Sequence, residues 1–68
     1  MIKEVLRYPG VPDVVAFDEN GDEIPEFTGK YLDVREKILA RAPKNAKFFH
    51  SIWGAKGLVK QEVSRKAW

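Results

Sequence analysis

The sequence predicts a small α+β fold: an antiparallel sheet of three to four strands with two short helices packed on one face. Three observations carry that expectation. Alternating apolar residues run into Asn20-Gly21, a pair suited to tight hairpin turns. Asp33 stands three residues before Glu36 at the head of an apolar stripe, an acidic form of the capping box. The stretch "APKNAKFFHSIWG", Ala42 to Gly54, then crowds four large apolar residues behind a proline.

The elements follow in order. "IKEVLRY" reads as a first strand closed by Pro9-Gly10, where proline then glycine suits a type II turn. In "DVVAFDENGDEIPEF", Val15 and Phe17 alternate with Ala16 and Asp18 before the turn. Ile24 and Phe27 lie on the return, and Pro25 marks an edge strand or an interruption. From Asp33, Val34, Ile38 and Ala42 form one helical stripe with Leu39 beside it. Pro43 ends that helix, because it has no amide hydrogen and clashes with the preceding turn.

Asn45 is suited to cap a second short helix, "AKFFHSIW", with Gly54 to terminate it. On that helix Phe48, Phe49, Ile52 and Trp53 would cover an arc of roughly 140° at about 100° per residue. Phe49 and Ile52 are then expected in the core, with Phe48 mostly buried. Trp53 and His50 would sit at its rim, and Lys47 and Ser51 would face away. The last segment, "GLVKQEVSRKAW", fits a strand through Val59, Gln61 and Val63, or a helical stripe through Val59, Val63 and Ala67. A strand returning to the sheet, with a basic tail, is the preferred reading.

Residues 1–68 read as one small domain. A chain of this size buries only roughly 60% of the surface that it exposes when unfolded, so support from a partner or a second copy is expected. The absence of cysteine excludes a disulfide staple, a thiolate zinc site and a thiol nucleophile. A single histidine excludes a multi-histidine metal cluster within one copy. The hydrophobic fraction of 44% argues for a folded chain rather than disorder. No apolar run is long enough to span a bilayer, and "MIKEVLRYPG" carries charges where a secretion signal needs an apolar stretch. A cytoplasmic location is therefore expected, with no membrane partner.

The net charge of +2 conceals a division. Residues 1–36 hold four basic and nine acidic side chains, and residues 37–68 hold eight basic and one acidic. That asymmetry implies an oriented electrostatic surface, which fits an acidic protein partner or nucleic acid.

No catalytic constellation emerges, and neither an enzyme nor a cofactor is expected. "DENGDE" spaces oxygen ligands at alternate positions, yet Gly21 precedes the third ligand and Gly29 stands where a calcium loop needs its glutamate. The carboxylates cluster at an exposed turn, unsuited to proton transfer at neutral pH. Ser51 follows His50 directly, and adjacent helical residues do not face each other. Candidate partner-binding residues are His50, Trp53 and Trp68, where amphipathic rings suit an interface. Candidate basic-surface residues are Lys37, Arg41, Lys44, Lys47, Lys56, Lys60, Arg65 and Lys66, which could neutralise phosphates beside stacking rings.

The stretch "GKYLDVREKILARAPKNAKFFHSIWG", residues 29–54, resembles the KTSC domain, a small module of bacteria and phages. Ala42 matches the small residue that ends the family's helix. Phe48 and Phe49 match its aromatic pair, His50 its usual asparagine, and Ile52 or Trp53 its apolar position. Lys44 and Ala46 stand where serine and glycine are common. The resemblance implies a small α+β module without established catalytic residues, similar in size to many phage accessory and virion proteins. The expected function is thus a non-enzymatic binding module within a larger protein assembly, with a protein or a further copy as partner. Nucleic-acid binding through the basic C-terminal half is the alternative.

Overall fold

The computed structural model describes residues 1–9 and 13–68. Its elements are β1 (Glu4–Arg7), β2 (Val14–Phe17), a 3-10 turn (Pro25–Phe27), α1 (Tyr31–Arg41), β3 (Lys47–Gly54) and β4 (Gly57–Val63). The strands form one sheet in the order β2-β1-β3-β4. The α+β class holds, with two corrections to its details.

First, the sheet is mixed. β1 runs antiparallel to β2 and parallel to β3, while β3 runs antiparallel to β4. The reason lies in the connection: parallel neighbours need a long crossover, usually helical, and α1 supplies it between β2 and β3. Second, the described residues form one α-helix. Residues 47–54, expected as the second helix, are the strand β3. The four apolar residues of "KFFHSIW" fit a helical arc and an extended segment alike. Phenylalanine, isoleucine and tryptophan favour the extended one, and β3 gains ladder partners on both sides from β1 and β4.

A turn forms at Asn20-Gly21, but Asn20 does not take the positive φ of a two-residue hairpin turn. Gly21 takes a φ of +83°, and the Asp18 carboxylate accepts from the backbone N–H groups of Asn20 and Asp22. The return leg is not a full strand. Glu23 makes one isolated bridge to Phe17, and Pro25 then opens the 3-10 turn, since it has no N–H to give a ladder. The Pro9-Gly10 turn extends outside the described residues.

α1 starts two residues before the expected cap, with Lys30 at the N-cap and no side-chain cap. Asp33 falls in the first turn, where a carboxylate complements the helix dipole. The predicted stripe is correct: Val34 and Ile38 are buried and Ala42 closes the helix, also buried. They pack against Val5, Val14, Ala16 and Phe48 on one face of the sheet.

The chain's last turn completes this core. Trp68 is 3% exposed, its ring 5.0 Å from that of Phe48 and edge-on to Tyr31 at 5.2 Å. Its placement corrects the assignment of Trp68 to a partner surface. The final segment is the strand β4, as preferred.

Candidate functional site

Strand lengths set the site. β1 pairs with β3 only from Lys47 to His50, whereas β3 and β4 pair over seven positions out to Gly54–Gly57. The outer half of the β3–β4 hairpin therefore projects beyond β1 as a two-stranded arm. Ala55 and Lys56 form its turn, and Gly57 follows with a φ of +110°, a conformation that favours glycine.

Side chains alternate across the arm. Ile52 pairs with Val59 on the face that carries α1, and Trp53 pairs with Leu58 on the other. All four are substantially exposed, Trp53 most of all at 73%. Gly54 allows a close approach here, since a Cβ at that position would lie 2.9 Å from Val59 Cγ2. An isolated hairpin is marginal in water, and clustered exposed apolar residues mark interaction surfaces.

The predicted residues separate accordingly. Trp53 lies on the arm. His50 is half-buried on the opposite face of β3, paired with Arg7 and Gln61, and its Nε2 has no hydrogen-bond partner. Trp68 is in the core, where its Nε1 likewise lacks a partner. Ile52, expected in the core, is exposed instead because no described strand or helix covers the arm's outer end. Leu58 and Val59 were not among the candidate binding residues, although Val59 was expected on the last strand. The signal for them was the Gly54–Gly57 turn with bulky apolar residues on both sides.

The basic residues do not form one stripe. Lys37 and Arg41 lie on the exposed side of α1, interleaved with Glu36 and close to Glu26. Lys44 is in the following turn, off the helix that carries Lys37 and Arg41. Lys47 begins β3, Lys56 caps the hairpin and Lys66 is in the last turn. Lys60 reaches over the Phe49 ring at 4.4 Å and pairs with Glu4 at 3.6 Å. Arg65 is half-buried, donating to the Pro43 carbonyl and covering the Phe48 ring. Two of the eight thus have structural partners within the chain.

On the helix-free face, Leu6 and Phe49 are buried side by side beneath Lys60. A shallow groove of about 500 Å³ lies beside them, lined by Leu6, Tyr8, Phe17, Asn20 and Lys60. Among the described residues no three acidic or histidine side chains converge to hold a metal ion. No described helix is long and apolar enough to cross a membrane.

Fold and arm together define a small α+β chain with a projecting apolar hairpin. Comparison with protein-family models, curated proteins and solved structures finds no match.

Proposed function

We propose that this chain is a non-enzymatic binding module that works inside a larger protein assembly, using the β3–β4 arm as its docking element. The observation that carries this reading is the exposure of Ile52, Trp53, Leu58 and Val59 on the outer half of a hairpin, beyond the reach of β1 and of every other described element. Trp53 is its anchor, since large amphipathic rings dominate interface energetics. The split charge adds orientation: the acidic half of the sequence supplies β2 and β1 and the basic half β3 and β4, so the charge differs from one end of the sheet to the other. The resemblance of residues 29–54 to the KTSC domain points the same way, toward a small accessory module of bacteria or phages. On this reading the chain resides in a cytoplasm, or in a virion if it is a phage protein.

Affinity capture from the native source tests the proposal. The wild-type chain should retain a protein that Trp53→Ala loses, with both chains equally folded. Capture that is indifferent to Trp53 would remove the arm from the function.

Nucleic-acid binding has weaker support, because Lys60 and Arg65 are engaged within the chain and the remaining cations are spread over several elements. Retention on DNA or RNA that falls steeply with salt would revive it.

A further inference from the structure

We propose that β4 pairs with the β4 of a second copy of this chain, antiparallel about a two-fold axis through Gln61. The inference rests on the reading of the chain as an assembly module and names one partner for it.

The sheet has two edges, and the chain treats them differently. At β2, Val14 exchanges both backbone hydrogen bonds with Gly29, and Ile24 donates to the Ala16 carbonyl, so the return leg closes that edge. At β4, seven residues long, no described segment lies alongside. An open edge of this length is a template for another strand.

The ladder shows which backbone groups are free. Lys47 donates its N–H to the Lys3 carbonyl on the β1 side, so odd-numbered residues of β3 face β1 and even-numbered ones face β4. The hydrogen-bonded pairs of the hairpin are then Phe48–Val63, His50–Gln61, Ile52–Val59 and Gly54–Gly57. Leu58, Lys60 and Glu62 consequently turn their N–H and C=O groups outward.

Self-pairing of two such edges must match outward residues with outward residues. An axis through Lys60 sets that lysine opposite its own copy, and an axis through Glu62 does the same with a carboxylate. Like charges directly opposed disfavour both. The axis through Gln61 sets Lys60 opposite Glu62 of the second copy, twice, and Val59 opposite Val63, twice. Glu62 is the only acidic residue after Glu36, and it stands where this register needs one. The interface is isologous and closes on itself, joining two four-stranded sheets into one of eight strands.

Sedimentation of the purified full chain tests this, with circular dichroism to confirm folding of each variant. The wild type should dimerise. Lys60→Glu and Glu62→Lys should each raise the dimer dissociation constant roughly tenfold or more, since every charged pair becomes repulsive. An equimolar mixture of the two variants should regain wild-type affinity, because each charged pair across the interface is then opposite in sign. Glu4→Gln, which removes the contact of Lys60 within the chain, should leave dimerisation unchanged. A wild-type chain that stays monomeric into the millimolar range, or variants that dimerise normally, would overturn the proposal. A monomer that still captures a Trp53-dependent protein would overturn self-pairing alone and leave the binding module standing. A dimer that obeys the charge rule but has no Trp53-dependent partner would support self-pairing and remove the arm's docking role.

Discussion

The hydroxyl of Tyr31, the first residue of α1, donates a 2.6 Å hydrogen bond to the main-chain oxygen of Trp68, at a sequence separation of 37. Arg35 donates to the same hydroxyl from one turn along the helix, and the Arg7 guanidinium lies 3.6 Å from the Tyr31 ring centroid. One side chain thus ties the helix start, the first strand and the last turn together. Tyr31→Phe should cost about 1 kcal/mol, the usual worth of such a bond. Trp68→Ala should cost about 3–5 kcal/mol, as other buried aromatic truncations do. Urea melts of the two variants beside the wild type check both values, and an unchanged Trp68→Ala would remove this ring from the core.

Two aromatic residues of β3 should behave in opposite ways. Phe48 is 2% exposed and Trp53 is 73% exposed, although only four residues separate them. Phe48→Ala should cost about 3–5 kcal/mol of stability. Trp53→Ala should change stability by less than about 0.5 kcal/mol, while weakening partner capture by about 2 kcal/mol or more. Thermal melts run beside a binding assay separate the two effects.

Gly54 and Val59 are coupled by contact. A Cβ on residue 54 would fall 2.9 Å from Val59 Cγ2, and the stiff, branched valine has little room to yield. Gly54→Ala should therefore cost about 1–3 kcal/mol. The same substitution in a Val59→Ala background should cost clearly less, and a double-mutant cycle measures the difference.

The Asp18 carboxylate holds its turn through two backbone amides. Asp18→Ala should lower stability by about 1 kcal/mol. Because that oxygen already serves the turn, added calcium should leave the wild-type melting temperature unchanged. A calcium-dependent rise in the melt would restore the metal-loop reading of "DENGDE".

Much of the fold was legible in local chemistry. The apolar spacing of Val34, Ile38 and Ala42 with Pro43 behind it describes α1 and its buried face. Asn20-Gly21 describes the turn after β2, because the glycine tolerates its positive φ. The charge division is a property of the sequence alone. What the sequence left open were the places where two periodicities coincide or where a partner comes from far along the chain. "KFFHSIW" fits a helical arc and a strand equally, and the choice fell to β1 and β4, which offer it ladder bonds on both sides. With that choice Phe48 and Phe49 went to opposite faces, Ile52 moved from the core to the arm, and His50 parted from Trp53. No local pattern buries Trp68 either. It is the packing of Tyr31 and Phe48, distant in sequence, that draws its ring out of water. Local propensity determined the turns and the helix of this protein; non-local strand pairing and burial decided which aromatic residues hold the core and which stay exposed.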